Sequence, residues 1–266
     1  MRLRIDFSYD GTDFAGWAKQ PNLVTVQGEL DGALATILRL DAIQTTVAGR
    51  TDAGVHATGQ VAHVDVDDSV DPEPLRRRLN SLLKAGALHI RSVTAAPDGF
   101  DARYSPLFRR YEYRISDDVT RRDPRTRHLT YWIDDQLDLD RMNQAASSIL
   151  GLHDWTTYCR PRPGATRVRE LQIFSWRRDP DGTLVATIQA DAFCHNMVRN
   201  LVGMCIAVGR GRLAVTDATI LRDQRTRTSA FIVIPPHGLT LVEVGYPPDD
   251  EVGSRAELSR ARRPPV

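Results

Sequence analysis

Two long stretches of this chain each open on a period-two alternation of apolar and polar residues and then run through the same succession of elements. That order constrains the fold more tightly than any composition does. In the first stretch, Leu3, Ile5, Phe7 and Tyr9 fall at every second position, the pattern of a half-buried strand. Thr25 then caps a helix whose apolar face is Val26, Leu30, Leu34, Ile37 and Leu38. Strands follow at residues 43–48 and 60–66. Asp71-Pro72 supplies an N-cap and a proline at the first helical position, opening a helix that turns Leu75, Leu79, Leu82 and Leu83 inward and stops at Gly86. A strand at 88–95 closes a β-α-β-β-α-β succession.

The second stretch opens at 109–116, where Tyr111, Tyr113 and Ile115 alternate. A helix over 138–150 turns Met142, Ala145, Ile149 and Leu150 inward and stops at Gly151. Strands at 170–177 and 183–191 flank the turn Asp179-Pro180-Asp181-Gly182. An apolar helix over 195–208 and strands near 231–234 and 239–246 complete the series. The two stretches share element order and not sequence. The expected fold is α+β: two tandem ferredoxin-like β-α-β-β-α-β units with mainly antiparallel sheets and a cleft between them. Domain boundaries are expected at 1–105 and 106–247, with a link near 96–108 and a disordered tail over 248–266; from residue 247 onward four prolines mix with charges.

No apolar run approaches the roughly 20 residues that span a bilayer. The opening residues mix charge with apolar side chains, unlike a signal peptide, so a soluble, cytoplasmic protein without membrane attachment is expected. Cys159, Cys194 and Cys205 show no CxxC spacing and are odd in number, which argues against a disulfide framework or a cysteine zinc site. Net charge is +1, unevenly placed: residues 1–102 carry −4 and residues 103–227 carry +6. Arginine supplies nearly all the positive charge. Its clusters at Arg121, Arg122, Arg125 and Arg127, at Arg160, Arg162, Arg167 and Arg169, and at Arg222, Arg225 and Arg227 suit phosphate contacts as well as a solvated surface.

Three places could carry chemistry. Gly49-Arg50-Thr51-Asp52-Ala53-Gly54-Val55-His56 is the densest polar turn, and its glycines let the backbone present Asp52 to a cleft. The same acid would serve equally as a turn former bonding its own backbone. Arg199 interrupts an otherwise apolar helix, where a guanidinium must reach solvent or meet a carboxylate. Asp52, from the other half, is the attractive partner. Tyr111 shares a strand face with Tyr113, so it is either core or a ring on which a base stacks. Asp52, His56, His63 and Asp65 are metal-ligand types, but the histidines stand seven apart across a loop-to-strand junction, and no metal is expected.

Together these stretches resemble the tRNA pseudouridine synthases of the bacterial A type, from Arg2 to Tyr246. Tyr9-Asp10-Gly11-Thr12-Asp13-Phe14-Ala15-Gly16-Trp17 is similar to the family's opening motif, and Gly49–His56, continued by Gly59-Gln60-Val61, to its signature. Asp101-Ala102-Arg103-Tyr104-Ser105 with Arg110-Tyr111-Glu112-Tyr113 resembles a third block. His195 with Met197-Val198-Arg199-Asn200-Leu201-Val202-Gly203 resembles a fourth. Ala18 and Lys84 depart from the family's usual glutamine and proline, both outside these blocks.

The resemblance implies isomerisation of uridine to pseudouridine at positions 38–40 of the anticodon arm, by a homodimer that needs no cofactor. It makes Asp52 the essential aspartate, Tyr111 the residue stacking on the target uracil, Arg199 the partner of the aspartate, and Arg50 an aid to displacing the target base. Nothing leaves and no redox change occurs in such a reaction, so a carboxylate serving as nucleophile or base suffices. Two other classes compete. A non-catalytic duplicated RNA-binding module would bind tRNA with steep salt dependence and alter no nucleoside. A metal-dependent nuclease would be stopped by EDTA and would shorten RNA.

Overall fold

The computed structural model describes residues 1–83, 86–161 and 166–260. Lys84, Arg162 and the end of the predicted tail lie outside the described residues. In chain order the elements are β1 (Arg2–Tyr9), α1 (Val26–Leu38), β2 (Thr46–Val47), β3 (His56–Asp65), α2 (Pro72–Leu82), β4 (Leu88–Ala95), β5 (Phe108–Ser116) and β6 (Tyr131–Trp132). There follow α3 (Leu139–Ser148), β7 (Gly151–Asp154), β8 (Val168–Arg178), β9 (Leu184–Ala190), α4 (Met197–Gly209), α5 (Asp217–Gln224), β10 (Leu239–Gly245) and α6 (Val252–Arg260). The α+β class and the mainly antiparallel pairing match the expectation. The chain divides into two compact units, Met1–Leu107 with Leu241–Ala261, and a second whose described part lies within Phe108–Thr240.

In the first unit β1 runs antiparallel to β3 (Leu3↔Val64, Ile5↔Ala62) and to β4 (Ile5↔Val93). The period-two pattern fixes this register. Leu3, Ile5 and Phe7 are wholly buried, and a one-residue slip would turn the row to water at about 1.5–3 kcal/mol per side chain. Thr25 caps α1 by accepting from the Gly28 N–H, and Asp71 caps α2 by accepting from the Glu73 N–H, as the sequence predicts. Of the four leucines expected inward on α2, only Leu75 and Leu79 are buried. Leu82 is half exposed in the last turn, where the helix ends before completing its face.

Two expectations fail here. The first segment ends at Leu107, close to the expected boundary, but it is not the whole unit: residues 241–261 return to it, whereas 106–247 were expected to form the second. The predicted disordered tail instead forms α6, with Val252 and Ala256 buried. Ser105 Oγ donates to the Val252 carbonyl at 2.8 Å, Tyr246 Oη to the Ala102 carbonyl at 2.9 Å, and Arg260 pairs with Asp101 at 3.0 Å. Proline and charge density signalled disorder, but two buried apolar residues a turn apart were enough to dock this short helix.

His63 lies under the same turn, its Nδ1 accepting from the Ala102 N–H at 2.9 Å, and burial holds its pKa below the usual histidine value. A base depressed by folding stabilises the protein above its unfolded pKa and loses that contribution as pH falls through the folded value. The Tm of the wild type should therefore drop more steeply below pH 6.5 than that of His63→Asn, in which an amide oxygen can accept the same N–H. Parallel Tm–pH curves would show that His63 contributes nothing to acid sensitivity.

In the second unit the strands run β5-β9-β8-β7, with β6 parallel to the end of β5. The hairpin at 179–182 is as predicted: Asp179 N–H donates to the Thr183 carbonyl at 2.8 Å, and Gly182 takes φ +87°. Asn143 on α3 bonds both the N–H and the carbonyl of Trp176 on β8, at 2.8 and 3.0 Å, locking helix to strand. The element order is not the simple repeat expected. Strands β6 and β7 and helix α5 are extra, and residues 231–234 form no strand. Phe231-Ile232-Val233-Ile234 has the composition of a strand but runs into Pro235-Pro236, and the carbonyls of Ile234 and Pro235 accept from side chains rather than from a ladder.

Cys159 and Cys194 are joined in a disulfide, with Cα atoms 5.8 Å apart, contrary to the expectation from spacing and number. They stand 35 residues apart, and folding brings the segments together through the Arg160 N–H to His195 carbonyl bond at 2.9 Å. Cys205, inside α4, is the buried small side chain expected, its thiol pushed up to about 12 by burial.

Candidate active site

The opening block, Tyr9–Trp17, wraps the Asp52 loop. Tyr9 lies at the end of β1, its hydroxyl 2.7 Å from Thr51 Oγ1 and accepting from Gln60 Nε2 at 3.2 Å; burial pushes this phenol up to about 12, against the pull of those two hydrogen bonds. Gln60 also donates to the Gly49 carbonyl at 2.9 Å. The Trp17 N–H reaches the Thr51 carbonyl at 3.0 Å, the Gly54 N–H reaches the Phe14 carbonyl at 3.3 Å, and the Gly11 N–H donates to His56 Nδ1 at 3.0 Å. Asp52 sits half-buried at the centre, its carbonyl accepting from the Val55 N–H in a tight turn. Thr51 is buried on one side of it and Val55 on the other. A loop tied at both ends to a strand and to the segment after it holds its acid in place without help from a ligand. Arg50 is exposed beside it.

Two glycines make the wrapping possible. A Cβ at Gly11 would stand 2.1 Å from the Val55 carbonyl oxygen, and one at Gly16, where φ is +92°, 3.0 Å from the Thr51 carbonyl oxygen. Gly11→Ala should therefore push the Asp52 loop away, lowering stability by about 1–3 kcal/mol and turnover with it. Thermal melts and nucleoside assays of the variant check this; wild-type values in both would show that the two blocks are not mechanically coupled.

The second unit positions Tyr111 and Arg199. Tyr111 lies on β5, opposite Ile188 of β9, and is 7% exposed. Phe193 meets its ring edge-on, with centroids 5.2 Å apart and planes at 88°. Such a contact fixes the plane of the tyrosine. Arg199 is the one half-buried residue of α4, every other member from Met197 to Gly209 being buried. Its Nε donates to the Ile234 carbonyl at 2.7 Å, and Nη1 lies 3.5 Å from Asn196 Oδ1. Asn196, the residue before the helix, adopts the left-handed conformation at φ +64°. The snorkelling alternative for Arg199 thus gives way to a fixed guanidinium, and the Ile234 contact that fixes it was hidden by the expectation of a strand there.

The remaining histidine of the metal-type cluster, His63, spends Nδ1 on a backbone N–H just as His56 does. Four of the clustered arginines are paired with local acids: Arg121 with Asp118, Arg122 with Asp134, Arg125 with Asp123 and Arg222 with Asp223. The pairs of the exposed Arg121 and Arg125 contribute little to stability, so a phosphate could displace the carboxylate there at low cost. A concavity of about 270 Å³ in the second unit is lined by Asp117, Arg121 and Arg178, but it holds none of the predicted site residues and its Asp117–Arg178 pair is internally satisfied.

Comparison with known proteins identifies the chain. A family model described as tRNA pseudouridine synthase matches residues 7–105 and 145–247. The chain belongs to the tRNA pseudouridine synthase family. Among its relatives, "tRNA pseudouridine synthase A" of Leifsonia xyli is 53% identical, with 98% of this chain and 97% of that protein covered. The protein of the same name from Frankia casuarinae is 51% identical over 100% and 96%. That from Mycobacterium leprae is 46% identical over 99% and 96%. Both matched segments carry predicted residues of this pseudouridine synthase chain, Arg50 and Asp52 in the first and Arg199 in the second. Tyr111 lies in the interval between them.

Proposed function

We propose that this pseudouridine synthase acts on uridines 38–40 in the anticodon arm of tRNA, with Asp52 as its catalytic carboxylate. The observation that carries the reading is the clamped loop: an aspartate held half-buried between Thr51 and Val55 by bonds from the opening block, in a chain of this family. The reaction breaks the C1′–N1 bond, turns the uracil, joins C5 to C1′ and removes the C5 proton, while N1 gains one, so that the mass is unchanged. Asp52 serves as nucleophile or base at the first stage, and Tyr111 or Asp52 is eligible to take the C5 proton. Tyr111, its plane set by Phe193, stacks on the uracil and offsets part of the few kcal/mol needed to unstack it. Arg199 is the basic partner of the carboxylate, and exposed Arg50 helps displace the target base. The enzyme works as a cytoplasmic homodimer without cofactor or metal.

The test is nucleoside analysis by mass spectrometry after incubation with an undermodified tRNA. Pseudouridine at 38–40, with unchanged mass and RNA length and no effect of EDTA, supports the reading. Binding with no altered nucleoside would leave a bare RNA-binding module, and EDTA-sensitive shortening would leave a nuclease.

A further inference from the structure

The segment after α5 has strand-like composition, yet it is held as an irregular strap by the second unit alone. Phe231 stacks on Tyr158, centroids 5.4 Å apart and planes within 10°. The next carbonyl, of Ile232, lies so close to α4 that a Cβ on Gly203 would come within 2.1 Å of its oxygen. The Ile234 carbonyl accepts Arg199 Nε at 2.7 Å, and the Pro235 carbonyl accepts the Tyr113 hydroxyl at 2.9 Å. The Pro236 carbonyl then accepts from the Leu239 N–H at 2.8 Å. Five contacts thus hold six residues, although the side chains of Ile232 and Val233 point to solvent. Apolar burial does not account for that path. The carbonyls do.

Tyr113 is wholly buried on β5, and burial pushes its phenol far above the ordinary value, so it remains a proton donor at any working pH. Its hydroxyl is bonded one residue beyond the carbonyl that fixes Arg199. We infer that Tyr113 is a positioning residue: with Gly203 it holds the 231–236 strap so that the Ile234 carbonyl sets the plane of the Arg199 guanidinium. The inference rests on the proposed role of Arg199. It assigns a task to the second tyrosine of the third block, which the sequence left as core, and to the last glycine of the fourth.

The experiment is single-turnover and steady-state kinetics on tRNA for Tyr113→Phe, which removes one hydroxyl and keeps the ring. Loss of one positioning hydrogen bond should lower kcat about fivefold with the tRNA KM within about twofold, and Tm should change little. Gly203→Ala, which displaces the strap from the opposite side, should show the same split with a larger fall in kcat. A merely structural role would lower Tm and the active fraction while leaving kcat per active enzyme unchanged. Wild-type kcat in Tyr113→Phe overturns the inference, as does a loss confined to KM, and this holds even if Gly203→Ala fails to fold. Failure of the broader reading looks different: the wild-type enzyme would then make no pseudouridine at all.

Discussion

Asp52→Asn should abolish pseudouridine formation, by at least about 10³-fold, and leave both the fold and tRNA binding intact. The replacement is isosteric, and backbone bonds hold the turn in either variant: the Asp52 carbonyl accepts from the Val55 N–H, and the Thr51 carbonyl from the Trp17 N–H. The amide can therefore sit where the carboxylate sat, and stability should move by no more than about 0.5 kcal/mol. What it cannot do is act as an anionic nucleophile or as a base. Retained turnover in the Asn variant would remove Asp52 from the chemistry. A collapse in Tm would show instead that the acid is a turn former, the structural role its sequence context equally allows.

Arg199→Ala should cost activity and stability together. Truncation leaves the Ile234 carbonyl without its charged donor, a loss of about 1.5–3 kcal/mol for a hydrogen bond from an ionised group. In a chain of this size each kcal/mol lowers Tm by about 2–4 °C. Turnover should fall about 10²-fold or more if the guanidinium stabilises charge at the reacting carboxylate. Arg199→Lys retains the charge but not the planar Nε donor, and should recover little of either. A normal melt together with normal kcat in Arg199→Ala would show that both the strap contact and the catalytic partnership are idle.

The sequence disclosed those parts of the molecule in which one side-chain period decides the structure. Leu3, Ile5, Phe7 and Tyr9 lie inward on β1, and Thr25 and Asp71 cap the helices they precede. The Asp52 turn was visible because glycine and acid stand together in it. Long-range partnerships were not visible. Nothing local in Gly11 announces the Val55 carbonyl it must admit, and nothing in Cys159 announces Cys194. The 231–234 run misled for a definite reason: β-branched residues favour extended backbone, but extended backbone need not join a sheet when Arg199 captures the Ile234 carbonyl at its end and Tyr113 that of Pro235 just beyond. Helix α6 was missed because its two buried positions, Val252 and Ala256, are too few to stand out among charges.

The return of residues 241–260 to the first unit sets an order on biosynthesis. While the ribosome is still making the second unit, Gly59 lacks the Val242 backbone it packs against, and Ser105, Ala102 and Asp101 lack Val252, Tyr246 and Arg260. The N-terminal portion of the nascent chain must therefore wait, with the edge of β3 open, until residues 241–260 emerge to close it. Here the usual rule that the first-synthesised domain matures first is reversed, and the Asp52 loop becomes part of a finished unit only after the second unit has been made.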